Sequence, residues 1–185
     1  MRILNHPNTV KLLEVIDTEE TLFRVMECLS GGDLFTHLEA KGRTMEGEAQ
    51  GPFQKLFSSL HHCNQLGVVH WDLKLDNLLL DANNTAKISD FTLSNQWHPG
   101  KKLDAFCGSP AFMAPGLFLG SPYTGPEVDV WSLGGVQYTE VSSPLSQSTA
   151  LTLLSLSFLG PLAIVLLSYL PPFFLCFPLY QLIAF

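Results

Sequence analysis

The stretch His70-Trp71-Asp72-Leu73-Lys74-Leu75-Asp76-Asn77 sets two acids, a lysine and an asparagine between apolar runs at Val68-Val69 and Leu78-Leu79-Leu80. Short runs of β-branched and aliphatic residues read as strands. A third such run, Ala86-Lys87-Ile88, follows Asp81-Ala82-Asn83-Asn84, whose composition is that of a turn. The pattern predicts a polar loop flanked by small hairpin strands. Two more polar segments lie downstream, Asp90-Phe91-Thr92 and Gly108-Ser109-Pro110-Ala111-Phe112-Met113-Ala114-Pro115-Gly116. Taken singly, each polar side chain in these segments reads as a cap or a solvated surface group.

Toward the N terminus, the runs Asn8 to Val15 and Thr21 to Met26 flank Asp17-Thr18-Glu19-Glu20, which predicts an antiparallel hairpin. Gly31-Gly32 breaks the chain before Asp33-Leu34-Phe35-Thr36-His37-Leu38, where Asp33 can cap or charge the first turn of a short helix. Phe53, Leu56, Phe57, Leu60, Cys63 and Leu66 recur at three- and four-residue spacing, the stripe of a buried helix. Its start is open between two positions. A helix from Glu46 puts Pro52 beyond the first turn, at a cost of about 3 kcal/mol; the other choice begins at Pro52 itself.

All 27 charged residues lie between Met1 and Glu140, so the net charge of -7 belongs to that part, and residues 141–185 carry none. A mildly acidic balance without a Lys/Arg stripe argues against nucleic acid as a partner, because that affinity needs clustered cations on phosphates. Cys28, Cys63, Cys107 and Cys176 form no C-x-x-C pair and have no His at metal-ligand spacing. Free thiols in a reducing compartment are expected. The opening Met1-Arg2-Ile3-Leu4-Asn5-His6-Pro7 is too polar for a secretory signal.

The order and separations of the three polar segments match the catalytic loop, metal-binding loop and activation-segment end of protein kinases, and the chain resembles a serine/threonine protein kinase domain. Asn5-His6-Pro7-Asn8, Phe106-Cys107-Gly108-Ser109-Pro110 and the stretch Gly125 to Gly134 are most similar to the microtubule-affinity-regulating and sperm-motility kinases. The resemblance covers residues 1–143 and implies an α+β fold, a mostly helical large lobe with a two-strand remnant of the small one. By the same resemblance Asp72 is the base, Lys74 the phosphate-contacting cation, and Asn77 with Asp90 the Mg²⁺ ligands on ATP. Met26 is then the gatekeeper, Glu27 to Leu29 the adenine-binding hinge, Asp33 the ribose contact and Leu79 part of the floor, with Asp129 bracing the catalytic loop. Phosphoryl transfer needs these types: a carboxylate to orient the hydroxyl, a cation near the phosphate, and oxygen ligands for Mg²⁺.

Several departures temper that expectation. A whole domain of this kind runs to roughly 250 residues, and the family's glycine-rich loop, strand lysine and helix glutamate would precede Met1. Trp71 stands where the family has a phosphate-reading arginine, Ala105 where the subgroup has a phosphorylated threonine, and Gly116 where a glutamate follows Ala114-Pro115. Thr92 replaces the glycine of the metal loop, raising a backbone objection to a β-branched residue. The expected function is a kinase-like protein of negligible turnover, truncated at both ends, with an active serine/threonine kinase or a membrane-tethered interaction protein as alternatives. Its protein substrate or docking partner is unspecified, and its expected site is the cytoplasm.

Residues 144–185 form an uncharged apolar tail, and Leu151 to Leu170 is long enough to cross a bilayer despite Gly160-Pro161. No Lys or Arg beyond Lys102 anchors or orients such a span. Leu, Phe, Ser and Pro make up 24 of residues 151–185, the composition of a translated pyrimidine-rich non-coding stretch. Membrane association and unselected hydrophobic sequence both fit the tail.

Overall fold

The computed structural model describes residues 3–142 apart from Arg43. The expected tail and its spanning segment lie outside these residues; within them, no helix is long and apolar enough to cross a membrane.

Strands β1 (Leu12–Asp17) and β2 (Leu22–Met26) form the predicted antiparallel hairpin, with an irregularity in register between Leu12 and Glu14. Its turn is closed by Thr18, whose amide and hydroxyl both donate to the Thr21 carbonyl, at 3.0 and 2.8 Å. The first strand starts later than the composition suggested. Asn8 to Val10 instead bridges to Ile88: the Val10 N–H donates to the Ile88 carbonyl at 2.9 Å and the Ile88 N–H to the Asn8 carbonyl at 2.8 Å. A β-rich run was thus divided between two partners, which propensity alone cannot foresee.

Helix α1 (Leu34–Lys41) is capped as expected, the Asp33 carboxylate accepting the Thr36 N–H at 2.8 Å and the Thr36 hydroxyl at 2.9 Å. Helix α2 (Glu46–Gln65) takes the longer of the two readings and contains Pro52. Gly51, Pro52 and Glu48, whose carbonyl proline leaves without an N–H, are all exposed, so the missing hydrogen bond lies on the solvent side of the helix. The predicted stripe is buried at Phe53, Leu56, Leu60 and Cys63, whereas Leu66 caps the helix end and is 40% exposed.

Beyond α2, β3 (Val68–Val69) pairs with β6 (Asn95–Gln96), and β4 (Leu78–Leu80) with β5 (Ala86–Ile88). A short helix α3 (Pro115–Phe118) precedes α4 (Pro126–Ser142). Two adjoining cores result. The larger joins α1, α2, the β4–β5 hairpin and α4 through Leu34, Leu56, Leu60, Leu73, Leu78, Ile88 and Leu133; the smaller gathers Val69, Trp71, Met113, Leu117, Tyr123 and Val128.

The His6 ring lies 5.7 Å from that of His62 on α2, its Nε2 donating to Ser58 Oγ at 3.2 Å and its Nδ1 accepting the Asn8 N–H at 3.1 Å. His62 is therefore half-buried against a second imidazole. Burial first and His62 second hold the His6 pKa below 6.5. Protonating a group with a depressed folded pKa costs stability as pH falls through that value. Urea unfolding at pH 7 and pH 5 should show that a His6→Asn variant loses less stability, or gains more, on acidification than the native chain; an unchanged difference between the two pH values would refute this. His70, fully buried and also shifted down by burial, adds to the loss in both chains, while Asp129, raised by burial, opposes it in both.

Candidate active site

The loop between β3 and β4 is built around Asp129, which is fully buried near the start of α4. Its Oδ2 accepts the His70 N–H at 2.7 Å and its Oδ1 the Trp71 N–H at 2.8 Å. Burial raises the Asp129 pKa to about 7, against these two donors, which pull it down. The bracing role expected of Asp129 has this physical form. His70 Nε2 carries its proton, because it faces the Ser89 carbonyl at 2.8 Å, and Nδ1 accepts the Asp72 N–H at 3.2 Å.

With the backbone fixed, Asp72 is buried and its carboxylate is met from both sides. Ser109 Oγ donates to Oδ1 at 2.7 Å, Asn77 Nδ2 donates to Oδ2 at 3.1 Å and to the Asp72 carbonyl at 2.8 Å, and Lys74 Nζ lies 3.6 Å from Oδ2. Asp72, Lys74 and Asn77 are thus brought together. Ser109 was not singled out in the sequence, since a serine in a loop carries no signal without its partner 37 residues away.

Asp90 follows directly. Ser89 is tied to the Asn77 carbonyl by its N–H and its hydroxyl, both at 2.9 Å, while Phe91 packs edge-on to His70 at 4.8 Å. The Asp90 backbone takes φ +54, and its Oδ1 accepts the Thr92 N–H at 3.2 Å and the Thr92 hydroxyl at 2.5 Å. The Thr92 hydroxyl, foremost, holds the Asp90 carboxyl below its usual range. Thr92 does not itself have a positive φ, so the backbone objection to a β-branched residue does not hold; its side chain is what acts.

Of the residues expected at the nucleotide base, Asp33 and Leu79 meet along one backbone seam. Asp33 bridges Leu79, the Gly31 N–H donates to the Leu80 carbonyl at 2.9 Å, and the Leu80 N–H to the Gly32 carbonyl at 2.8 Å. A Cβ on Gly31 would sit 2.7 Å from Leu80 atoms, so this approach requires glycine. Met26 ends β2 and is exposed, Leu29 is half-buried, and Asp33 spends both carboxylate oxygens on the α1 cap. Glu27 is an anchor: its carboxylate takes Lys87 Nζ at 2.8 and 2.9 Å and the Lys11 N–H at 2.8 Å, while its own N–H donates to the Lys11 carbonyl at 2.9 Å. That ion pair ties the hairpin to β5.

Trp71 adopts φ +69 and is buried against Tyr123 at 6.3 Å, in the cluster that also receives Leu103, Ala105 and Cys107. The Tyr123 hydroxyl donates to the Ala105 carbonyl at 2.8 Å. Gly108, at φ +111, passes so close that a Cβ would lie 2.5 Å from the Trp71 carbonyl oxygen. Where the resemblance calls for a phosphate and its reader, the chain has an apolar seam.

Asp90 and Asn77 supply oxygen donors of the kind Mg²⁺ accepts, and that ion commonly uses one or two protein carboxylates with phosphate oxygens. Among the described residues no cluster of three or more His, Cys, Asp or Glu could hold a metal alone. The donor chemistry fits a cation shared with a nucleotide.

The protein kinase domain model matches residues 1–152. NUAK family SNF1-like kinase 2 of Homo sapiens and the protein of the same name from Pongo abelii are each 48% identical over 138 residues, 75% of this chain. The chain spans 22% of the length of these curated relatives. With the braced loop, the Asp72–Lys74–Asn77 contacts and these matches in hand, the chain belongs to the serine/threonine protein kinase domain family.

Proposed function

We propose that this chain is a kinase-like protein of the cytoplasm that holds ATP with Mg²⁺ weakly and transfers phosphate negligibly. The observation that carries this is the apolar seam of Trp71, Tyr123 and Ala105, which ties the activation segment to the catalytic loop without a phosphate. A cation that reads phosphorylation has no place there, so the segment is not switchable in the way the resemblance implies. Lys74 is drawn toward Asp72 itself, and phosphoryl transfer depends on cations and metal positioned on the phosphates.

An active serine/threonine kinase is the second reading, favoured by the bonded geometry of Asp72. Transfer of labelled γ-phosphate from ATP to a generic protein substrate separates the two. The proposal expects no transfer above that of an Asp72→Asn variant; transfer that disappears in that variant would overturn it.

A further inference from the structure

We propose that the Thr92 hydroxyl is an internal competitor for the divalent cation at Asp90, so that this one side chain sets how weakly the site takes metal. The inference rests on the reading of Asp90 and Asn77 as the metal side of a nucleotide site. The Asp90 backbone is clamped on both flanks: Ser89 is buried with two bonds to the Asn77 carbonyl, and Phe91 is buried against His70. Rotation of the Asp90 side chain is what remains to decide where its carboxylate points. Oδ1 has two lone-pair positions, and Thr92 fills both, with its N–H at 3.2 Å and its hydroxyl at 2.5 Å.

The N–H contact follows from the loop backbone and survives any side chain at this position. The hydroxyl contact does not. Thr92 is exposed, so water could satisfy its hydroxyl, and burial does not force the choice of Asp90. A short O–H···O⁻ bond is among the stronger hydrogen bonds, and a cation that uses Oδ1 must displace it. Mg²⁺ held by one or two carboxylates and otherwise by water fills a lost position with water, and with so few protein ligands the loss of one weakens its binding. Removing the hydroxyl is expected to strengthen cation binding roughly tenfold to a hundredfold.

The test labels aspartate carboxyl carbons in the full chain and follows the Asp90 signal, identified by its loss in Asp90→Asn, during titration with Mn²⁺ and no nucleotide. Thr92→Val keeps the shape without the hydroxyl, Thr92→Ser keeps the hydroxyl, and Thr92→Gly removes both. The proposal expects paramagnetic broadening of Asp90 at a Mn²⁺ concentration at least tenfold lower in the valine and glycine variants than in the native chain and the serine variant. Equal Mn²⁺ dependence in all four, or a serine variant that behaves like valine, would overturn it. Should valine perturb the fold, the glycine and serine variants decide. The expected Mn²⁺ ordering alongside melting curves that ATP leaves unchanged would uphold the competitor and remove the nucleotide reading instead.

Discussion

Replacing Asp129 by alanine is expected to cost the folded state roughly 2–6 kcal/mol, because two buried N–H groups, of His70 and Trp71, lose their acceptor together and each orphaned donor costs about 1–3 kcal/mol. Domains of this size are stable by about 5–15 kcal/mol, so much of the fold's stability is at stake. Urea unfolding measures it, and a loss under about 1 kcal/mol would contradict the bracing role. The same carboxyl predicts a pH effect of definite sign. Its folded pKa is raised from 3.8 to about 7, so its contribution is full below pH 3.8 and is lost as pH rises through about 7. Asp129→Asn, which keeps one acceptor oxygen, should flatten that decline while costing less than alanine.

Trp71→Ala should be comparably damaging, at about 3–5 kcal/mol for emptying a buried indole site. The loss has a local signature as well. Without the indole, Tyr123, Leu103 and Ala105 lose the surface that seats the activation segment, so limited proteolysis between Leu103 and Gly108 should accelerate before global unfolding. Unchanged cleavage with a normal melting temperature would mean that the seam holds nothing. Alanine also accepts φ +69 no better than tryptophan, so relief of backbone strain does not offset the cavity.

What could be read in advance divides along the range of the interactions. The β1–β2 and β4–β5 hairpins, the Asp33 cap and the α2 stripe are local patterns, and each emerged close to its expected position. Helix α4 was missed as a helix. From Pro126 to Val141 it has no exposed position, and it buries Asp129, Ser132, Gln137, Thr139 and Glu140, so it lacks the polar face that gives a helix its period. Strand β6 is two polar residues long and is visible only through its pairing with Val68-Val69. At the site, the family resemblance named Asp72, Lys74, Asn77 and Asp90 and the role each would have, but not the contacts that hold them. That Glu27 would clasp Lys87, that Ser109 would reach Asp72 and that Thr92 would act through its hydroxyl are contacts between segments or rotamers, which composition does not encode.

The central claim is that these residues assemble a braced kinase-like site able to take nucleotide, and the most direct test is urea unfolding of the full chain by circular dichroism with and without Mg·ATP. A ligand that binds the native state alone stabilises it, by about 2.7 kcal/mol at a hundredfold excess over Kd. The account predicts one cooperative transition that moves to higher urea with Mg·ATP. A sloping, featureless curve indifferent to nucleotide would contradict it.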